Sequence, residues 1–107
     1  MPEGKGEAFA TDGSKRSTSL QTWLGLSGKP FSRRSWTIRV RSDPNNGANV
    51  NVGRRNAVEP LLPGDSVDFD FASLVNIFLN DLGTSGLLIY VDDSGPLDPG
   101  DLGIGVA

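Results

Sequence analysis

The sequence predicts an all-β protein, a small β-sandwich or jelly-roll-like barrel of six to seven short strands. From Ser66 to Phe71, polar and apolar residues alternate strictly, so an extended strand there has one face in a core and the other in water. Pro63-Gly64 precedes this strand and is typical of a type II turn, because proline fixes φ at about −65° and glycine supplies the positive φ that follows. Comparable turn signals recur roughly every 8–12 residues, a spacing typical of sandwiches and barrels.

Two further strands are predicted before this turn. In residues 18–27 the leucines occupy even-numbered positions and Trp23 an odd-numbered one. This predicts a first strand with the leucines on one face and Trp23 on the other, toward a second apolar layer or a partner. Residues 33–42 alternate again, with Trp36 and the aliphatic residues on the predicted core face and the arginines on the opposite face.

Turn signals suggest how the remaining strands connect. Asn46-Gly47 favours a tight turn, so the second strand is predicted to form a hairpin with residues 49–53. Residues 74–79 are apolar at all positions but one, which predicts a strand buried on both faces, with a single helical turn around Phe71 to Leu74 left open. A second hairpin-type turn over residues 83–86 then leads to the last core strand, residues 87–91.

Composition divides the chain into three parts. Residues 1–17 are rich in glycine, serine and charge, so they are predicted to form a flexible N-terminal arm that is either a leader or an anchor on a neighbouring subunit. Residues 18–93 form the predicted sandwich domain. Residues 94–107 form a Gly/Pro-rich tail that either adds an edge strand or lies on a neighbour. The candidate contact residues in the arm and the tail are Phe9, Leu102 and Ile104.

The composition of the 107 residues excludes several classes of function. There is no cysteine and no histidine, so the chain lacks thiolate metal ligands, disulfides and the commonest general base. No apolar run approaches the roughly 20 residues of a membrane-spanning helix. The N-terminus lacks the basic and apolar regions of a secretion signal. We therefore expect no membrane association and production in the cytoplasm of the cell that makes the protein.

Charge is distributed unevenly along the chain. Residues 1–56 carry +6 and residues 57–107 carry −9, which gives the net charge of −3. The simplest interpretation is that the two halves neutralise each other within one sheet system. The alternative is that the two signs lie on different surfaces and meet between copies of the protein. Nucleic-acid binding is not expected, because the acidic half would lie close to any phosphate backbone.

No catalytic, cofactor or metal site is predicted. The three lysines lie in predicted arm or loop segments, and a nucleophile without histidine would need one of them or a carboxylate as its base. Asp68 and Asp70 are about 7 Å apart on one strand face, near the spacing of a glycosidase pair, but alternating aspartates are ordinary on an exposed strand. The aspartates of residues 92–101 do not have EF-hand spacing, so they are interpreted as a solvated acidic turn.

Arginines supply the other candidate contact residues. Those on the predicted second strand form either a solvated face or a row that pairs with the Asp68/Asp70 face of another strand or subunit. Two more follow the predicted hairpin, in a polar connection. These four candidate interface residues are Arg39, Arg41, Arg54 and Arg55.

Four segments together resemble a group of small structural proteins of tailed bacteriophages. The group commonly has an x-I-x-V/I-R strand, an Asp-Pro/Asn-Gly turn with a V-x-V-G strand, an L-x-P-G-x-S-V turn into an alternating strand, and a closing strand pair. The match covers about half of the chain and leaves out both ends. The matching segments are Trp36–Arg41, Ser42–Gly53, Leu61–Val67, and Leu74–Phe78 with Leu87–Val91.

The resemblance implies a non-enzymatic virion component without cofactors, most plausibly a capsid decoration or cement protein. Such proteins bind the major capsid protein on the head surface, often as homotrimers, and stabilise the contacts between capsomers. The alternative is a host-receptor or glycan-binding β module of a phage fibre, spike or tail, which would use exposed aromatic residues. The candidates for that role are Trp23 and Tyr90.

Overall fold

The computed structural model describes residues 5–14, 17–24, 35–54 and 57–95. They form two four-stranded antiparallel sheets that pack face to face as a sandwich, with one short helix. The strands and the helix are β1 (Lys5–Asp12), β2 (Thr18–Ser19), α1 (Leu20–Leu24), β3 (Ser35–Ser42), β4 (Val50–Arg54), β5 (Ala57–Leu61), β6 (Ser66–Ala72), β7 (Ile77–Asn80) and β8 (Ser85–Asp93). A 3₁₀ turn, Leu74–Asn76, precedes β7.

The strand order identifies the sandwich as a jelly roll. The first sheet has the order β1-β8-β3-β6 and the second has the order β2-β7-β4-β5. The strand pairs are nested in the sequence, so that the first strand pairs with the last and the middle two strands pair with each other. The pairs are β1 with β8, β2 with β7, β3 with β6, and β4 with β5. This nested pairing is that of one long hairpin rolled into two layers, which is the eight-stranded jelly-roll architecture. The predicted fold class is therefore confirmed, with eight strands rather than six or seven.

The core lies between the two sheets and is almost entirely aliphatic. Both sheets contribute side chains that are completely buried, and the alternation of each strand points them inwards. Together they supply the burial of apolar surface that a cysteine-free domain depends on. The fully buried aliphatic residues are Leu20, Ile38, Val40, Val50, Ile77, Leu79, Ile89 and Val91.

The predicted Pro-Gly turn is confirmed at the junction between β5 and β6. The Asp65 N–H donates to the Leu62 carbonyl at 2.9 Å, and Gly64 has a φ of +87°. Gly64 and Asp65 also exchange backbone hydrogen bonds with Ser42 at the end of β3. The turn therefore sets the point at which the chain passes from the second sheet to the first.

Both predicted hairpins are wrong, although the turns exist. β3 belongs to the first sheet and β4 to the second, so the Asn46-Gly47 region joins two layers. The Asn46 side chain fastens this connection by donating to the Leu88 carbonyl and accepting from the Leu88 N–H, each at 2.9 Å. The turn before β8 likewise joins the two sheets. Turn chemistry indicates where a chain reverses, but it does not specify the sheet in which the next strand pairs.

The predicted first strand over residues 18–27 is also wrong for residues 20–24, and residues 25–27 lie outside the described residues. β2 is extended, and α1 follows it, with Leu20 and Trp23 buried on the same side of the helix. A spacing of three residues brings side chains together on a helix, whereas on a strand it separates them. None of the helices in the described ranges has the length and apolar character to span a membrane.

The flexible arm predicted over residues 1–17 is wrong for residues 5–12, which form β1 and pair with β8 along its length. The Thr11 hydroxyl donates to the Thr84 carbonyl at 2.7 Å and accepts from the Leu87 N–H at 3.0 Å. The polar composition of this segment does not reveal the strand, because the strand forms by pairing with β8, which is far away in the sequence.

The segment predicted as a strand over residues 74–79 is extended only from Ile77. The 3₁₀ turn before it buries Leu74 and exposes Val75. The helical turn left open in the prediction is thus present, two to three residues later than expected.

Candidate interaction surface

The strands run between two opposite ends of the sandwich. β3 begins at Ser35 and ends at Ser42, about 23 Å apart at roughly 3.3 Å per residue. One end, which we call the arginine end, is defined by the pairing of β3, β4 and β6 and by the 3₁₀ turn. Its exposed residues include Trp36, Arg54, Phe71 and Val75. The opposite end, which we call the corner end, carries Asp43, Leu62, Asp65 and Leu82.

The outer face of the first sheet is a ladder of opposite charges. The Arg39 guanidinium binds the Asp68 carboxylate through two hydrogen bonds, Nε to Oδ1 at 2.7 Å and Nη2 to Oδ2 at 3.0 Å. Arg41 binds Asp92 at 3.2 Å. Both pairs join the basic half of the chain to the acidic half, so for these four residues the two halves neutralise each other within the chain. A shallow, open depression of about 350 Å³ lies beside Arg39 and is also lined by Thr37, Asp68 and Asp92.

The Arg39–Asp68 pair shifts the pKa values of both groups but contributes little to the stability of the fold. The hydrogen bond from Arg39 lowers the pKa of Asp68, and the same bond raises the pKa of Arg39. The two side chains are 53% and 42% exposed, so solvent screens most of their attraction. Asp70, beside them on β6, accepts from the Thr37 hydroxyl at 2.9 Å. The carboxylates of Asp68, Asp70 and Asp92 on this face therefore each accept a hydrogen bond from a β3 side chain.

Tyr90 is held in the same ladder. Its hydroxyl donates to Asp43 Oδ2 at 2.7 Å, and the Arg41 guanidinium lies 5.0 Å from the centre of its ring. Asp43 also accepts from the Asn45 N–H at 2.8 Å. The hydrogen bond from Tyr90 lowers the pKa of Asp43 and raises the pKa of Tyr90. A glycan contact through Tyr90 would have to displace the arginine from its ring.

These shifts predict how stability depends on pH. The pKa values of Asp43 and Asp68 are lowered, so the stability they contribute is present above the unfolded value of about 3.9 and is lost as the pH falls through the folded values. The pKa of Tyr90 is raised, so its contribution is present below about pH 10 and is lost as the pH rises through the folded value. We expect urea midpoints to be level between about pH 5 and 9 with respect to these groups and to fall on both sides. Tyr90→Phe should remove the loss above pH 10 and reduce the loss below pH 4; an unchanged profile in this variant contradicts the assignment.

Two residues predicted at an interface pack inside the chain instead. Trp23 is only 7% exposed, and its indole N–H donates to the Leu79 carbonyl at 3.1 Å. Phe9, from β1, stacks on it with ring centroids 5.2 Å apart and an angle of 18° between the planes. Trp23 is thus part of the core and offers little surface to a partner or a glycan. Phe9 packs against the helix of its own chain, and its predicted role as an anchor on a neighbouring subunit stays a prediction.

Arg54 connects the two sheets at the arginine end. Its Nη2 donates to the Asp70 carbonyl at 2.7 Å, which leaves Nε and Nη1 without a partner among the described residues. The three other predicted interface residues, Arg55, Leu102 and Ile104, lie outside the described residues. Among the predicted contact arginines that the structure describes, Arg54 is therefore the one whose guanidinium has no carboxylate partner.

The arginine end also carries a pair of exposed aromatic rings. Trp36 is 52% exposed and Phe71 is 60% exposed, and their ring centroids lie 5.8 Å apart with a tilt of 60°. The register of β3 and β6 brings them together, since the pairs Ser35–Ala72 and Thr37–Asp70 flank them. Both had been predicted to point into the core. We call these two rings and Arg54 the aromatic patch.

The backbone at Phe71 explains the reversal. Its φ of +52° is left-handed, which is rare for a bulky residue and costs about 1–2 kcal/mol. This conformation turns the ring out of the core and lets Ala72 take the buried position that the alternation reserved for Phe71. On the paired strand, Ser35 is buried and Trp36 is exposed. No signal in the sequence before or after Phe71 marks this change of parity.

Phe71→Gly should therefore make the protein slightly more stable. Glycine adopts a positive φ without the Cβ strain, and this gain exceeds the value of a half-exposed ring contact. We expect the free energy of unfolding to rise by about 0.5 kcal/mol, measured by urea denaturation. A loss of 1 kcal/mol or more would instead show that the ring supports the fold.

Among the described residues, no group of three or more metal-binding side chains comes together, and Asp68 and Asp70 each accept a hydrogen bond from a β3 side chain. The surface feature that the structure adds to the sequence analysis is the aromatic patch. Comparisons with protein-family models, curated proteins and solved structures find no match to this chain.

Proposed function

We propose that this protein is a structural component of a bacteriophage virion, a decoration or cement protein that binds the major capsid protein on the head surface. The observation that carries the proposal is the exposed Trp36–Phe71 pair on a strained backbone. Large exposed apolar side chains on a small domain mark contact sites. The jelly roll is a fold of viral shell domains, although it also serves other roles, and the motif resemblance favours the virion among them.

The proposed mechanism is avidity on a repeating lattice. A single aromatic patch on a small domain forms a modest interface, but association of copies, as in the trimers expected from the resemblance, would present several patches at once. Linked contacts of this kind bind far more tightly than each one alone. Each copy would then stabilise the junction between capsomers without any chemical step, cofactor, nucleic acid or membrane.

The second candidate is a receptor-binding or glycan-binding module, and the two aromatic residues that suggested it are poorly placed to contact a ligand. Trp23 is buried, and Tyr90 is bonded to Asp43 and covered by Arg41. A glycan-binding site would have to use Trp36 instead. We therefore retain the capsid role as the proposed function.

Add-back of the protein to capsids that lack it tests the proposal. We expect saturable binding and a rise in the melting temperature of the capsid, because a ligand that binds only the intact shell stabilises it by mass action. Capsids incubated with heat-denatured protein are the control. Saturable binding to host cells with no change in capsid melting would overturn the capsid role in favour of receptor binding.

A further inference from the structure

We infer that the aromatic patch is the surface that docks on the shell, and that its partner is an apolar pocket rimmed by carboxylates on the capsid subunit. This inference rests on the proposed function and adds the docking surface and the chemistry of its partner. The patch consists of Trp36, Phe71 and Arg54, at the arginine end of the sandwich.

The two rings are not explained by the fold that carries them. Each has more than half of its surface in solvent, and Phe71 holds its ring there at the cost of a left-handed backbone. Strain of this kind persists where the surrounding structure imposes it, and it concentrates at functional sites. Tryptophan and arginine are also the residue types that most often dominate the energy of protein interfaces.

The charge of Arg54 indicates the chemistry of the partner surface. Arg54 uses one nitrogen on the Asp70 carbonyl and keeps Nε and Nη1 for another acceptor. A guanidinium beside an aromatic pair, with donors that have no partner among the described residues, fits a surface that offers carboxylates around an apolar centre.

Other surfaces of the molecule fit such a partner less well. The arginines of the first sheet are already bound to Asp68 and Asp92. At the corner end, Leu62 and Leu82 are about half exposed, but the charged neighbours there are the carboxylates Asp43 and Asp65. The patch therefore combines exposed rings with arginine donors that have no partner among the described residues.

The matched variants W36S/F71N and L62S/L82N test this assignment on capsids that lack the protein. Each removes two exposed apolar side chains from one end, and asparagine tolerates the left-handed backbone of Phe71 and Leu82. We expect W36S/F71N to lose at least about 30-fold in affinity, as expected for truncating hot-spot residues. L62S/L82N should bind like the unchanged protein. Circular dichroism and urea unfolding of both variants confirm that they are folded.

Salt dependence tests the charged part. Replacing Arg54 with methionine should weaken binding at low salt and flatten its dependence on salt concentration, and Arg54→Lys should restore part of the slope. A salt dependence that is the same in all three proteins overturns the acidic rim.

The outcomes separate the inference from the proposed function. If the unchanged protein does not bind shells, both are overturned. If it binds and W36S/F71N binds equally well, the docking surface is wrong and the capsid role stands. If W36S/F71N binds shells normally but no longer self-associates, the patch is a contact between copies, which also overturns the inference.

Discussion

Gly53→Ala is expected to destabilise the protein by about 3 kcal/mol or more, because there is no room for a side chain at this position. Gly53 lies on β4 opposite Val58 of β5. A Cβ atom there would lie 2.2 Å from the Ala57 carbonyl oxygen and 2.8 Å from the Val58 Cα. Both contacts are with backbone, so relief requires β5 to move away from β4. The measurement is the urea midpoint, with a fall in melting temperature of roughly 10 °C or more.

Gly47→Ala is the matched control. A Cβ at Gly47 would meet no atom within 4 Å, and the substitution lowers the entropy of the unfolded chain. It should leave stability unchanged or raise it by a few tenths of a kcal/mol. If both glycine variants unfold alike, the close approach of β4 and β5 is not a feature of the folded protein.

Asp81→Ala is expected to cost about 3 kcal/mol, since it removes the acceptor of two backbone donors. Asp81 is completely buried. Its carboxylate accepts from the Gly83 N–H at 2.9 Å and from the Gly13 N–H at 2.8 Å. The first bond shapes the turn before β8, and the second fastens the end of β1 to that turn. The substitution should therefore loosen β1 as well as lower global stability.

Hydrogen exchange and urea unfolding measure these two effects. In Asp81→Ala, amides of β1 should lose protection beyond the global change, because β1 is an edge strand held at this end by side-chain bonds. Asp65→Ala is the control, because the exposed Asp65 side chain makes no hydrogen bond among the described residues; it should unfold like the original protein. Equal stability of the two variants would contradict the role assigned to Asp81.

The sequence predicted the strands better than their connections. Alternation is a local property, so the strands β3 and β6 and the turn at Pro63-Gly64 were recognisable from side chains alone. The pairing partner of each strand depends on contacts between residues that are far apart in the chain. For that reason β3 and β4 were predicted as a hairpin, although they lie in different sheets.

The helix α1 was missed although a signal for it is present. Leu20, Leu24 and Leu26 also satisfy a period of two, which predicts a strand. Ser19 precedes the helix, and its hydroxyl accepts from the Thr22 N–H at 3.4 Å, as an N-terminal cap does. Leu20 and Trp23 then meet the core from one side. Short segments fit both periods, and here the capping residue is the signal that favours the helix.

The candidate surface was only partly predictable. Arg54 was named from its place in a polar connection, and it does lie at the exposed end of the sandwich. Trp36 and Phe71 are predicted to lie in the core, because alternation reveals neither the left-handed conformation of Phe71 nor the change in burial pattern at the start of β3. Trp23 is predicted to face a second apolar layer or a partner, and its burial within the chain depends on a helix. Aromatic residues in this chain thus follow backbone conformation more than sequence parity.

The number of copies of this protein in purified virus particles tests the central claim most directly. A protein that tiles the shell should be present in hundreds of copies and should sediment with heads freed of their tails. We predict that result for this jelly roll with its aromatic patch. A handful of copies that remain with the tails would contradict the capsid role.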